Sequence, residues 1–468
     1  MAEVAIGLAG IAVILAVAVL LSADRRRIRL RVVGPAFALQ AVIAALVLYV
    51  PAGRAAIGAM ARGVSTVLGY SRAGIEMVFG GLTQVNGVAS LAINILPIII
   101  FFSALVSVLY FFGIIQLVVR FVGGLLERLL AVDRVEALYA AANILVGQSE
   151  SPLVVRAYLK DLRDSQFFAL MVTGMAGVAG SILAAYAQMG VNIEYLLAAA
   201  FMSAPGGLLM AKLLMPDAPP SADGEAALDD PGRPAPEAEA RPTNLIMAIF
   251  NGTEDGVKLA VSVAAMLIVF VALIALCNGV VGGVAGLFGE PDLTLQRILG
   301  WVFAPLMFLL NVPWSEADTA GQLFGEKLIL NEFVAYLHYG PIRDSLSPQT
   351  QAVVTFALCG FANISSIAIQ MGVLGGLAPE RRPLIARLGP RALLGASLAN
   401  LMSAALAGLM LTAGGLSSPP PARPAAPGAP PPAPSAAPAA APRAVEETVE
   451  TATPPSAPPR EGRPQAGP

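Results

Sequence analysis

The sequence predicts an all-α polytopic membrane protein with eight transmembrane helices and two re-entrant helical hairpins arranged as inverted repeats. Three observations carry that expectation. Of 468 residues, 56% are hydrophobic and 13% charged, with a mean hydropathy of +0.73, whereas a soluble domain carries about 25% charge. Apolar runs of roughly 20 residues recur, with Lys and Arg gathered between alternate runs. Two polar motifs, Gly147-Gln148-Ser149-Glu150-Ser151-Pro152 and Asn331-Glu332, interrupt apolar stretches. The net charge of −2 argues against a nucleic-acid partner, and one His with two Cys leaves little for a zinc site or a disulfide framework.

Taken in order, residues 4–21 lack a basic leader and a small-residue cleavage site and are expected to be retained as the first span. Arg25, Arg26, Arg27, Arg29 and Arg31 place the next loop in the cytoplasm and the N-terminus in the periplasm. Residues 33–50 return outward, and 52–88, with Arg54, Arg62 and Arg72 among small residues, read as an interfacial helix. The third span covers 91–119. Residues 135–146 and 152–159 are the arms of a broken helix with Arg128 and Arg134 before it and Arg156, Lys160 and Arg163 after it, so it enters and leaves by one face. Ser151 and Pro152 read as the cap and first residue of the second arm. Gln148, Ser149 and Glu150 then lie near mid-membrane, where a carboxylate costs roughly 2.5–3.5 kcal/mol and marks a functional site by default.

Spans over 167–190 and 193–214 follow, then a flexible acidic loop over 216–242. A span over 257–281 is preceded by Glu254 and Asp255 as a solvated helix start, and 301–312 reads as an in-plane helix. A second hairpin around Leu330 precedes spans over 352–371 and 392–411, leaving the C-terminus periplasmic. The Pro- and Ala-rich tail cannot build a core and is expected to be disordered. Cys277 and Cys359 are expected as core thiols. The organisation is therefore scaffold helices over 1–134, a first repeat over 135–215, the loop over 216–243, scaffold helices over 244–312, a second repeat over 313–415 and the tail over 416–468.

Glu150 is followed by the small-residue run Gly177–Ser181, and Glu332, at a similar distance, by Phe361–Ser366. Inverted repeats with interrupted helices at the midplane mark secondary transporters. Helices that stop there leave unpaired carbonyls and N–H groups, so a cation and a polar solute can both be held. Ser365, Gly177 and Gly180 fit close helix packing as well as binding. His338 is expected as a hydrogen-bonded hairpin residue, and Glu316 and Asp318 as helix caps.

Residues 147–153, 331–336 and 359–368, with the supporting runs 203–207 and 312–317 and the pair Arg381-Arg382, resemble the concentrative nucleoside transporters, and the resemblance extends over roughly residues 4–411. It implies a homotrimer in the lipid of a bacterial inner membrane, each protomer moving a transport domain against a scaffold and importing nucleosides by symport with Na+ or H+, with no cofactor and no covalent chemistry. Gln148, Ser149 and Glu150 would face the nucleobase, Glu332, Asn363 and Ser366 the ribose, and Ile182 and Phe361 would form the apolar wall. The cation would meet Asn143 and the carbonyls of Val146 and Val178, with Gly177 where sodium-coupled members carry a hydroxyl. The competing readings are a symporter of another polar solute, such as a free nucleobase, and an intramembrane hydrolase using Ser149 or Ser366 with His338. The second lacks a nucleophile elbow.

Overall fold

The computed structural model describes residues 2–84, 91–217 and 242–414, and among them every regular element is helical. The acidic stretch over 218–241 and the Pro- and Ala-rich tail lie outside the described residues. The first helices are α1 (Ala2–Leu20), α2 (Leu30–Leu48) and α3 (Pro51–Phe79). Pro51 opens α3, whose buried residues Ile57, Ala61, Leu68 and Ile75 recur on one helical face. After α4 (Leu96–Phe111) the chain turns at Gly113, whose φ of +76° suits a residue without Cβ, into α5 (Ile114–Leu130). The third span therefore stops earlier than the 91–119 expected. Ile115, Val119, Leu126 and Leu130 form a buried stripe on a separate amphipathic helix.

Next come α6 (Arg134–Val146) and α7 (Ser151–Val154), separated by a break over 147–150. Then follow α8 (Asp164–Ala176), α9 (Gly180–Gln188) and α10 (Ile193–Leu214). The expected single helix over 167–190 is thus two pieces, broken at Gly177-Val178-Ala179. Ser151 does not cap. Its hydroxyl turns back toward Asn143 Oδ1 at 3.5 Å, and the residue preceding α7 is Glu150.

The helix α11 (Leu245–Gly286) runs 42 residues, so Glu254 and Asp255 sit inside it instead of at its start, with Glu254 paired to Lys258 at 2.9 Å. Cys277 on this helix is exposed, against the expectation of a core thiol, while Cys359 is buried. After α12 (Leu295–Leu309) a bend of 119° leads into α13 (Trp314–Ile329), and Leu330 and Asn331 separate this from α14 (Glu332–Ile342). The last elements are α15 (Pro348–Leu358), α16 (Ile364–Leu377) and α17 (Arg382–Ala413). The expected helix over 352–371 is also broken, at 359–363. The order helix, break, helix, broken helix, unbroken helix occurs twice, in α6–α10 and in α13–α17.

Among the described residues seven helical stretches are long and apolar enough to cross a membrane, and an eighth crossing is added if the bent pair α12 and α13 forms one span. They fall into two layers. In the most apolar part of the stretches 164–188, 193–214 and 379–413, 83%, 89% and 78% of residues are buried, against 28%, 33%, 17% and 17% in the corresponding parts of α1, α2, α4 and α11. The inner layer is the two broken-helix units packed on one another, and the outer layer presents apolar side chains such as Ile268 and Leu276 outward.

A buried ionic cluster ties the first unit together at its base. Lys212 Nζ reaches Glu136 Oε1 at 2.6 Å and Asp217 at 2.8 Å, and Ser165 donates to Asp217 at 3.0 Å. This joins α6, α10 and the start of α8. Burial alone would raise the Asp217 carboxyl, but the Lys212 ammonium outweighs it and holds the group below its ordinary value. Lys212→Met would strand two carboxylates, and we expect it to cost about 3–5 kcal/mol in thermal unfolding. Because the Asp217 value is lowered on folding, its stabilising contribution is full above the ordinary 3.8 and lost as pH falls through the lowered value. An Asp217→Asn variant should lose that acid-dependent part.

Candidate functional site

Asn331 precedes α14 with an extended backbone, and its Oδ1 accepts the Val334 N–H at 2.9 Å, which fixes where the helix begins. Glu332, the first helical residue, is 4% exposed. Its two oxygens are held from different elements: Tyr186 Oη in α9 donates to one at 2.8 Å, and Asn363 Nδ2 donates to the other at 3.0 Å. Asn363 is itself the cap of α16, its Oδ1 accepting the Ser366 N–H at 2.9 Å and the Ser365 hydroxyl at 2.7 Å. Ser366 Oγ accepts from Gln148 Nε2 at 3.2 Å, and Gln148 Oε1 accepts from Gln370 Nε2 at 3.2 Å. Gln370 also donates to the Met171 carbonyl at 2.9 Å.

A single chain of polar contacts thus runs through both units, from Tyr186 and the start of α14 through the breaks at 359–363 and 147–150 to Met171 of α8. The breaks also meet directly, since the Phe361 N–H donates to the Gly177 carbonyl at 3.0 Å. Each group in the chain is a neutral donor or acceptor except Glu332, so the arrangement suits an uncharged solute rich in hydroxyls.

Of the sequence-predicted solute residues, the structure brings Gln148, Glu332, Asn363 and Ser366 into this chain. Ile182 is buried and Phe361 half-buried. Ser149 and Glu150 stand apart from Gln148: both are exposed. Glu150 lines a cavity of about 210 Å³ shared with Ser181 and with Tyr110, Asn251 and Asp255 of the outer helices. The two acidic motifs therefore meet different surroundings, one dry and one open.

The residues predicted as cation donors lie at two helix breaks, at the end of α6 and between α8 and α9. Asn143 Nδ2 donates to the Thr173 carbonyl at 2.9 Å, capping the end of α8, while its Oδ1 faces the Ser151 hydroxyl. Val146 ends α6, and Val178 lies in the neighbouring break, both buried. Gly147 has a φ of +79°, and a Cβ there would lie 2.7 Å from that of Ala179, so its lack of a side chain lets the two breaks touch. Among the described residues no group of three or more His, Cys, Asp or Glu could hold a metal ion. The donors on offer are amide, hydroxyl and carbonyl oxygens, which fit a hard monovalent cation. His338 is hydrogen-bonded to Glu326 at 2.9 Å, and Glu316 receives the Ser347 N–H and hydroxyl at the start of α15.

Residues 9–82, 92–192 and 195–408 match the family descriptions "Na+ dependent nucleoside transporter N-terminus", "Nucleoside recognition" and "Na+ dependent nucleoside transporter C-terminus". The chain belongs to the concentrative nucleoside transporter family.

The nucleoside permease NupC of Helicobacter pylori is 43% identical over 414 residues, covering 86% of this chain and 96% of that protein. A Haemophilus influenzae protein described as an uncharacterized transporter is 50% identical over 413 residues, covering 86% and 97%. The structure of CNTnw in an inward-facing substrate-bound state aligns with a TM-score of 0.81 at 47% identity, covering 88% of this chain and 99% of that one. These relatives are permeases and transporters, so the hydrolase reading falls, and the chain is a multi-pass membrane protein that is not an enzyme.

Sequence reasoning missed Tyr186, Gln370, Asn400 and Lys327. A lone Tyr or Gln in an apolar helix carries no pattern that distinguishes it from packing, and Lys327 follows Glu326 as an ordinary charged pair would. For Gly177, a Cβ would lie 2.3 Å from Asn143 Nδ2. Gly177→Ala should therefore displace the cap on α8 and cost about 1–3 kcal/mol in thermal unfolding. Gly372→Ala, where a Cβ meets open space, should be neutral or slightly stabilising.

Proposed function

We propose that this protein imports nucleosides by symport with Na+ or H+, as a homotrimer of eight-span protomers with two re-entrant hairpins, in a bacterial inner membrane with both termini periplasmic. The observation that carries the reading is the Glu332–Asn363–Ser366–Gln148 chain, in which each group can exchange a protein partner for a hydroxyl or base edge of the solute. Glu332, Asn363 and Ser366 serve the ribose, Gln148 with the exposed Ser149 and Glu150 the base, and Ile182 and Phe361 the apolar faces. A free nucleobase would leave Glu332 and Asn363 without a sugar to recognise. CNTnw has structures in outward-facing, inward-facing and intermediate states, which supports alternating access here, with α6–α10 and α13–α17 as the moving repeats.

The oxygen donors around Asn143, Val146 and Val178, and the sodium dependence in the family descriptions, support sodium as the driving ion. Proton coupling would instead engage a carboxylate, and of Glu150 and Glu332 it is Glu150 that lines a cavity. Uptake of labelled uridine and adenosine into cells lacking their own carriers tests the assignment. Wild type should accumulate both, and Glu332→Gln should reduce uptake by about 10- to 100-fold, the worth of a charge-assisted hydrogen bond. No accumulation, or an unaffected variant, refutes it. Replacing sodium by choline across pH separates the ions: uptake that survives without sodium and rises with acidity rules sodium out.

A further inference from the structure

Lys327, on α13, is a fully buried cation, 0% exposed. An ammonium in such a place is tolerated only where its three N–H groups find acceptors. Its Nζ donates to the Ala357 carbonyl at 2.7 Å and to Asn400 Oδ1 at 2.7 Å. Asn400, buried in the centre of α17, in turn donates through Nδ2 to the Ala176 carbonyl at 2.8 Å and the Cys359 carbonyl at 3.1 Å. Ala176 is the last residue of α8, and Cys359 is the first beyond α15.

The C-terminal ends of both broken helices thus converge on one amide, and that amide is oriented by one ammonium. The partial negative charge of about half an elementary charge at each helix end favours a cation there. The approach depends on Gly360, where a Cβ would lie 2.3 Å from Asn400 Oδ1 and 2.6 Å from the Ala176 carbonyl. Two residues after Cys359 comes Phe361, bonded to Gly177, and two further on is Asn363, bonded to Glu332. Glu332 lies just across the break at Leu330-Asn331 from the end of α13, the helix that carries Lys327. Among the described residues no direct ion pair joins them.

We propose that Lys327 is a positioning residue for the sugar half of the nucleoside site. It sets the spacing of the two helix breaks through Asn400 and balances the charge of Glu332 without occupying that carboxylate's oxygens, which stay available to sugar hydroxyls. A direct Lys–Glu bridge would consume them. The inference rests on the nucleoside reading above, and it assigns Lys327 a part in recognition beyond holding the fold.

The test compares Lys327→Met, which keeps an unbranched side chain out to Cε and removes the ammonium, with wild type. It measures KM and maximal rate for a ribonucleoside and for its 2′,3′-dideoxy counterpart, together with thermal unfolding of the purified protein. We expect the ribonucleoside KM to rise by at least about tenfold while that of the dideoxy compound changes by much less, because only the former uses Glu332 and Asn363. A strut with no part in recognition would lower the maximal rate for both substrates and leave both KM values unchanged, and that result overturns the proposal. So does an equal rise in both.

If Lys327→Met is not recovered folded, Asn400→Ala carries the same comparison. It keeps the ammonium on Ala357 and removes the link to the two breaks, and the same split between substrates is expected. A wild-type protein that accumulates no nucleoside would refute the function proposed above. The proposal for Lys327 fails when wild type transports and the variant recovered folded discriminates between the two sugars as wild type does.

Discussion

A helix that stops inside an apolar bundle leaves carbonyls or N–H groups with no water to satisfy them, and each costs several kcal/mol if left alone. This chain stops helices there repeatedly, at 147–150, 177–179, 330–331 and 359–363. Four asparagines answer the problem. Asn331 and Asn363 turn an oxygen to the N–H groups that open α14 and α16, while Asn143 and Asn400 turn a nitrogen to the carbonyls that close α8 and α15. An amide side chain presents both a donor and an acceptor, so one residue type can cap ends of either polarity.

The placement of charge follows from the same helix ends. Glu332 is the first residue of α14, at the positive end of that helix, and Lys327 lies where two negative ends converge. The groups that satisfy the breaks are also those able to recognise a solute, because a cap shared among several partners can release one. Glu332 illustrates this: Tyr186 and Asn363 each bond one oxygen, and a carboxylate oxygen accepts more than one hydrogen bond.

This explains what the sequence made legible. The breaks after Val146 and before Glu332 were readable because Gly147, Pro152 and Asn331 are poor residues for a helix interior and sit beside carboxylates. The breaks at 177–179 and 359–363 were not. Gly-Val-Ala and Cys-Gly-Phe-Ala-Asn fit a tightly packed continuous helix as well as an interrupted one, and only the partners on α6 and α17 decide between them. The same limit hid Asn400 and Gln370, whose importance lies in contacts more than 200 residues away in sequence. Local charge misled at Glu254 and Asp255, where an acidic pair resembles a helix start but lies on the exposed side of the long α11.

The two acidic motifs look equivalent in sequence and are not equivalent in the fold. In the first, Gln148 points inward and takes the contact with Ser366, which leaves Glu150 facing the cavity beside α4 and α11. In the second, the carboxylate itself points inward. A charge in a dry contact can change partners only when the elements around it separate, whereas one beside a cavity can do so with little rearrangement. Glu332 is therefore bound to the integrity of the paired repeats. Glu150 lies at the seam between the inner bundle and the outer helices, where relative movement of the two layers would first be felt.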